Sequence, residues 1–321
     1  MSQPIEQWLK HLDAILEQHQ FESAEEAEAW LRQQSENRSI DEFFEQCATP
    51  AMRLTLLWQR AEQANDPEEA QELYSAAIKH AEHELVAEIA EARQSPSSWP
   101  DNIVHPYLLS LFGRAATAEM LGNLSDAEQF YLDVWEADPL DSLGCAEKLF
   151  SLCVIDGRLS DARTWLDRQA ADESTILCYH RALLRFLEAA DMAEQRYQQS
   201  GDVEAASSWQ DETANNLLLK ALQQNPYVAR LMAHPQAFQL DCPQGSESRS
   251  PAEAIAVMYA SAHLWLSDFL ALSWLIGTAK HICLETSGYE DEWQQVLAQL
   301  GGEPSDEERF AYLRQLEEMD L

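Results

Sequence analysis

Hydrophobic residues recur every three or four positions along most of the chain, with polar residues between them. Leu54, Trp58 and Ala61 follow this spacing, and the pattern resumes with Tyr74 after a polar break at residues 65–67. Such spacing places the apolar side chains on one face of an α-helix. The chain is therefore predicted to be a succession of amphipathic helices that pair across short turns.

One six-residue segment occurs twice with small changes. Gly122-Asn-Leu-Ser-Asp-Ala127 returns as Gly157-Arg-Leu-Ser-Asp-Ala162, thirty-five residues further on. A fixed period of this size is typical of stacked helix pairs. In each copy we expect Gly to end one helix, Ser-Asp to cap the next, and Ala to lie where the two helices approach closely.

Four such helix pairs are predicted within residues 51–228. The return helix of the first pair is expected to continue unusually far, through Ala81, Leu85 and Ile89, until the Ser/Pro-rich segment 95–100 breaks it. The second pair spans about 105–141, the third turns at Gly157, and the fourth is stretched and ends at Asn225-Pro226.

The two ends of the chain do not follow the repeat. Residues 1–50 are predicted to be an N-terminal helical cap, and residues 229–321 a C-terminal helical cap with an acidic tail. A helix is expected to start at Ser250-Pro-Ala-Glu253, with Pro at its first position. The last forty residues are either a final helix pair or a partly mobile acidic arm.

Composition also favours an all-α protein. The chain contains only ten Gly and twelve Pro among 321 residues, and Val and Ile are sparse beside Ala, Glu, Gln and Leu.

Residues 51–228 resemble the tetratricopeptide repeat family. Ala115, Ala127, Tyr131 and Pro139 match that family's small, aromatic and proline positions in the best copy, although its Trp-Leu-Gly-Tyr opening is degenerate in every copy. The resemblance implies a right-handed superhelical solenoid of stacked antiparallel helix pairs. It also implies a concave groove, lined by the first helix of each pair, that holds a peptide or a helix.

The charge of the chain narrows the choice of partner. A net charge of −35 and a pI near 4.4 disfavour direct binding to nucleic acid or to anionic membranes, and favour a partner protein with a basic segment. The candidate contact residues combine acidic and aromatic character on the first helices, together with one loop tryptophan: Trp58, Glu62, Trp99, Phe112, Glu119 and Glu147.

The sequence lacks the common motifs of catalytic, phosphate-binding and metal-binding sites. It contains neither a Gly-rich phosphate loop nor a nucleophile elbow, and His80 and His83 do not form the His-Glu-x-x-His zinc motif. The six cysteines form no CxxC pair and are predicted to be reduced, buried thiols. We therefore expect no catalytic, cofactor or metal site. Without a signal-peptide core or a membrane-spanning apolar run, the expected location is the cytoplasm.

Three functional hypotheses follow from these observations. The first is a non-enzymatic adaptor, dedicated chaperone or inhibitor (immunity) protein that holds a basic protein segment in its groove. The second is a nucleic-acid mimic that blocks a nucleic-acid-binding protein. The third is a structural subunit of a larger assembly, and the sequence leaves the oligomeric state open.

Overall fold

The structure, a computed structural model, describes residues 49–94, 103–138, 140–201, 211–243, 245–281 and 289–318. Within these ranges every regular element is helical, which confirms the all-α prediction. The predicted N-terminal cap, Trp99 and Pro139 lie outside the described residues.

The described residues form fourteen α-helices and one short 3-10 turn at Ala237–Gln239. The helices are α1 (Pro50–Gln63), α2 (Pro67–Glu84), α3 (Val86–Gln94), α4 (Val104–Met120), α5 (Leu124–Ala137), α6 (Cys145–Ile155), α7 (Leu159–Arg168), α8 (Thr175–Ser200), α9 (Glu212–Gln224), α10 (Tyr227–Met232), α11 (Pro251–Leu266), α12 (Phe269–His281), α13 (Glu290–Gln299) and α14 (Asp306–Glu318).

The chain divides into two compact units, unit 1 (residues 1–145) and unit 2 (residues 146–321). In unit 1, α2 packs against both α1 and α4, α1 also packs against α4, and α4 packs against α5. Neighbouring helices therefore pack in pairs, as the repeat predicts. The superhelical path and the boundaries at residues 50 and 228 stay predictions.

The close packing of unit 1 depends on small residues. Ala61 and Ala70 form a buried cluster with Tyr74, and Trp58 packs against it. The Tyr74 ring also lies over Gly113 of α4, where an added Cβ would approach a ring carbon to 2.3 Å. Only glycine therefore allows α2 and α4 this separation.

The two copies of the repeated segment form nearly the same turn. Gly122 has φ 76° and Gly157 has φ 70°. The next residue donates its N–H to the carbonyl five positions back, Asn123 to Ala118 at 2.9 Å and Arg158 to Cys153 at 2.8 Å. This is the Schellman arrangement, and it confirms that Gly ends each first helix.

The predicted capping by Ser-Asp is wrong in both copies. The second helices begin two residues earlier than expected, at Leu124 and Leu159, and the N-cap residues Asn123 and Arg158 make no side-chain capping bond. Because the Schellman turn leads directly into the next helix, Ser-Asp lies inside its first turn. There Asp126 and Asp161 still interact favourably with the helix dipole.

The predicted long return helix of the first pair is two helices instead of one. Leu85 separates α2 from α3 and has φ −122° and ψ 24°, outside the helical region. Its side chain is only 4% exposed. The hydrophobic spacing continues across the break because Leu85 and Ile89 are both buried, so the spacing alone does not reveal the interruption.

In unit 2 the long helix α8 packs against α7, α9, α11 and α12. The core of unit 2 is aromatic. Phe186 stacks on Trp274 with ring centroids 4.7 Å apart, and Trp265 lies between Trp274 and Tyr179. The side chains of Phe186 and Trp265 are fully buried. The helix α8 is therefore the central element of this unit.

Asn225 joins three parts of unit 2 through hydrogen bonds. Its side-chain Nδ2 donates to the Ser250 carbonyl and to Glu253 Oε2, both at 2.9 Å. Its Oδ1 accepts from the Tyr227 N–H at 3.1 Å, and its carbonyl accepts from the Tyr179 hydroxyl at 2.7 Å. This fully buried amide thus fixes the turn before α10 against α8 and the start of α11.

His180 is buried in unit 2 without a described hydrogen-bond partner for either ring nitrogen. The ring stacks on Phe150 at a centroid distance of 4.7 Å. Burial, and after it the nearby His263 and Arg181, lowers the pKa of His180 to about 3. The imidazole is therefore neutral at physiological pH.

Of the two alternatives for the last forty residues, helices or an acidic arm, the described residues form helices. Ser250 Oγ accepts from the Glu253 N–H at 3.0 Å and Pro251 is the first residue of α11, so the predicted helix start is confirmed. The helices α13 and α14 pack on α11 and α12, respectively. Trp293 of α13 is 5% exposed and lies against Tyr227.

The prediction of buried thiols holds for three of the four cysteines described. Cys145, Cys153 and Cys178 are buried, whereas Cys242 is exposed. Cys242 lies in the polar loop before α11, which offers it no apolar surroundings, so the prediction is wrong there. Cys47 and Cys283 lie outside the described residues.

Candidate functional site

Four of the predicted contact residues lie on two helices of unit 1 that pack side by side. Trp58 and Glu62 are on α1, and Phe112 and Glu119 are on α4. Glu62 is exposed and the other three are half-buried. The structure thus brings these four residues to neighbouring helices of one unit, as a surface made of first helices requires.

Both of these glutamates accept a hydrogen bond from a tyrosine of the following helix. The Tyr74 hydroxyl donates to Glu62 Oε1 at 2.6 Å, and the Tyr131 hydroxyl donates to Glu119 Oε2 at 2.7 Å. In each pair the tyrosine follows the glutamate by 12 residues. Burial and then the glutamate raise the pKa of Tyr74 and of Tyr131. These carboxylates therefore also hold each helix pair together.

The two aromatic candidates are partly used in packing. The Phe112 ring meets Tyr131 edge to face with centroids 5.5 Å apart, and Trp58 meets His105 at 6.5 Å. The Trp58 Nε1 is buried and has no acceptor among the described residues. Both side chains keep some exposed surface, so contact with a partner stays a prediction.

The remaining two candidates are not placed with these four. Glu147 is half-buried on α6 in unit 2, and Trp99 lies outside the described ranges. The six predicted residues therefore do not form one site in the part of the chain that the structure describes.

Unit 2 contains a groove of about 810 Å³ that the sequence did not predict. It runs along the second half of α8, between the α6–α7 turn and the start of α12. Its lining residues are Val154, Gly157, Arg158, Leu159, Ser160, Asp161, Phe186, Leu187, Ala190, Asp191, Ala193, Glu194, Asp268 and Leu270.

The floor of this groove is a stripe of apolar residues on α8. Phe186, Leu187, Ala190 and Ala193 follow one another at helical spacing. Ala190 and Ala193 keep the later part of the floor low, and the Phe186 ring at its start is fixed by its stack on Trp274. The floor therefore rests on the rigid aromatic core.

Among the described residues, the edges of the groove carry four carboxylates and one arginine. Asp191 and Glu194 lie on α8, Asp161 on α7, and Asp268 immediately before α12. The arginine, Arg158, forms ion pairs with Asp156 at 3.2 Å and with Asp161 at 3.1 Å. The net charge of the residues that line the groove is therefore negative.

Hydrogen bonds orient three of these carboxylates. Asp191 Oδ2 accepts from Gln195 at 2.9 Å, and Glu194 Oε1 accepts from Gln198 at 3.1 Å. Asp268 Oδ1 caps α12 by accepting the Ala271 N–H at 2.8 Å. Each carboxylate is thus oriented by one bond to a single oxygen.

An exposed leucine also lines the groove. Leu270, in the first turn of α12, is 57% exposed. Its hydrophobicity in the sequence looks like that of any core position. The missing signal is spatial, because the groove requires residues from four separate helices, which a linear pattern does not bring together.

The described residues offer little for metal or thiolate chemistry. No group of three or more His, Cys, Asp or Glu side chains among them is arranged to hold a metal ion. Burial, then Asp141 and Asp138, raises the pKa of the Cys145 thiol to about 12. This cysteine is therefore a thiol at neutral pH. In the same part of the chain, no helix combines the length and apolarity needed to cross a bilayer.

Comparisons with known protein families, with curated proteins and with solved structures find no match to this chain. The resemblance to tetratricopeptide repeats consequently remains a prediction.

Proposed function

We propose that this protein is a non-enzymatic cytoplasmic scaffold that binds a basic segment of a partner protein in the groove of unit 2. One observation supports this most: among the described residues, four carboxylates and one ion-paired arginine line a groove whose apolar residues include the exposed Leu270. An apolar centre with a charged rim is the usual anatomy of a protein-binding surface.

The two parts of the groove have different roles in binding. The partly exposed apolar side chains of the groove, Leu187, Ala190 and Leu270, contribute affinity, because their surface leaves water when the partner binds. The rim contributes selectivity and speed, since carboxylates attract Lys and Arg and the net charge of −35 steers a basic partner toward the protein. Adaptor, dedicated chaperone and inhibitor (immunity) functions all use this same recognition.

The groove favours a protein partner over the nucleic-acid-mimic hypothesis. A mimic needs a row of carboxylates spaced like phosphates, whereas the acids here flank an apolar stripe. Such a stripe buries apolar side chains, which a site for a phosphate backbone does not offer.

Charge reversal on α8 tests the proposal. The variant Asp191→Lys/Glu194→Lys is compared with Glu88→Lys/Glu91→Lys on α3, which has the same spacing, two exposed glutamates and the same change in net charge. Proteins captured from the native lysate at about 50 mM and about 300 mM salt are identified by mass spectrometry.

We expect one protein with a basic segment to be retained at low salt by the wild type and by the α3 variant, and lost with the α8 variant. The proposal is wrong if both variants lose that protein equally, or if the α8 variant retains it.

A further inference from the structure

We infer that the segment bound in the unit 2 groove is an amphipathic α-helix with one apolar face flanked on both sides by Lys or Arg, an inference that rests on the proposed function. The groove combines a helical floor, walls made of helix ends and turns, and a carboxylate on each wall beside those of the floor helix. Each of these features limits which backbone conformation the partner takes.

The floor lacks a backbone edge with which an extended peptide could pair. It is one continuous α-helix, whose N–H and C=O groups are hydrogen-bonded along its own axis. An extended segment on the apolar floor would bury its own backbone groups without partners, at a large cost. A helix satisfies these groups internally, and so it fits an apolar floor.

The length and depth of the floor also match a helix. The apolar stripe from Phe186 to Ala193 covers two turns of α8, or about 10 Å. Its last two members, Ala190 and Ala193, have only methyl side chains, which permits the short interaxial distance of closely packed helices.

The positions of the carboxylates define the charge pattern of the partner. Asp191 and Glu194 lie along the α8 edge, while Asp161 and Asp268 belong to the walls. A helix in the groove has carboxylates beside both flanks of its apolar face. Lys and Arg at those flanks reach the acids while their aliphatic stems cover apolar surface.

Three designed peptides test this inference with the full-length protein by fluorescence anisotropy. The first has about fifteen residues, roughly four turns, with Leu at every third or fourth position and Lys beside the leucines. The second has the same composition in an order that spreads Leu around the helix. The third keeps the first pattern but has Glu in place of Lys.

We expect the first peptide to bind about tenfold or more tightly than either of the others. Ala190→Lys places a long, positively charged side chain on the floor, where it repels the lysines of the peptide. This variant should abolish the preference for the first peptide. The control Met192→Lys lies on α8, two residues further along, at a position that does not line the groove, and should preserve it. Circular dichroism and urea unfolding verify that both variants fold.

The outcomes separate the two levels of the proposal. Equal binding of the first two peptides, with weak binding of the third, overturns the helix inference and leaves a groove that binds basic segments. Equal binding of all three, or binding unaffected by Asp191→Lys/Glu194→Lys, overturns the helix inference and the proposed function together.

Discussion

The neutral, buried His180 makes the stability of unit 2 depend on pH. Its pKa falls from 6.5 to about 3 on folding, chiefly because burial penalises the charged ring. Between these two values the unfolded chain binds a proton at His180 and the folded chain does not. The contribution of His180 is therefore fully present above pH 6.5 and is lost progressively as the pH falls toward 3.

The size of the effect follows from the two pKa values. The free energy of unfolding changes by about 1.4 kcal/mol per pH unit where one proton separates the two states. Between pH 7.5 and pH 5 this amounts to about 2 kcal/mol, because the unfolded ring titrates mainly below pH 6.5. The nearby His263 and Arg181 lower the pKa of His180 further.

The variant His180→Leu isolates this term, since leucine has a similar volume and no titratable group. Urea unfolding at pH 7.5 and pH 5 gives the loss of stability for each protein, with deuterium uptake of α8 peptides reporting on unit 2. We expect the loss to be about 2 kcal/mol smaller in His180→Leu than in the wild type. The control His83→Leu alters a side chain that is 83% exposed and should leave the loss unchanged.

One result would refute this reasoning directly. If His180→Leu and the wild type lose the same stability between the two pH values, the ring has a hydrogen-bond partner or is reached by water in solution.

Three further substitutions test the packing, each measured by urea unfolding at 25 °C. Gly113→Ala should destabilise the protein by about 1–3 kcal/mol, because the added Cβ would lie 2.3 Å from the Tyr74 ring. Gly277→Ala in α12 has open space around the added Cβ and should stabilise the protein by up to about 1 kcal/mol. Stabilisation by both variants would contradict the close contact at Gly113. Asn225→Ala should cost about 2–4 kcal/mol, because it removes two donated hydrogen bonds in the core and takes the acceptor away from the Tyr227 N–H; a cost below about 0.5 kcal/mol would mean that water replaces the amide. Gly122→Ala should cost about 1–2 kcal/mol of stability through its φ of 76° alone, since nothing lies near the added methyl group. Gly122→Asn should cost less, because asparagine adopts the left-handed conformation more readily than alanine. Equal costs for the two variants would contradict a purely backbone origin.

Much of the secondary structure could be predicted because its signals are local. The start of α11 at Ser250-Pro-Ala-Glu253 depends on residues three apart, and the turns at Gly122 and Gly157 depend on a single left-handed residue. Where a local signal has two outcomes, the prediction was wrong. Ser-Asp suits an N-cap as well as a first turn, and the preceding Schellman turn decides between them.

The candidate site was less predictable because exposure is not a local property. The glutamates at positions 62 and 119 were correctly assigned to first helices, but their hydrogen bonds to tyrosines depend on how each pair closes. The exposure of Leu270 depends on how few of the described residues pack against it, which no periodicity encodes. His180 looks like an ordinary polar residue in the sequence, and its burial becomes visible only when Phe150 packs on it.

By itself, the sequence determined the helical class, the order of the helix pairs, their glycine turns and the acidic charge. These properties depend on composition or on residues within a few positions of each other. Only the tertiary structure decided that α8 is the centre of unit 2 and that, among the described residues, a groove with apolar and acidic lining lies along it. Such a groove depends on the distances between segments far apart in the chain, and those distances are set by core packing rather than by local preference.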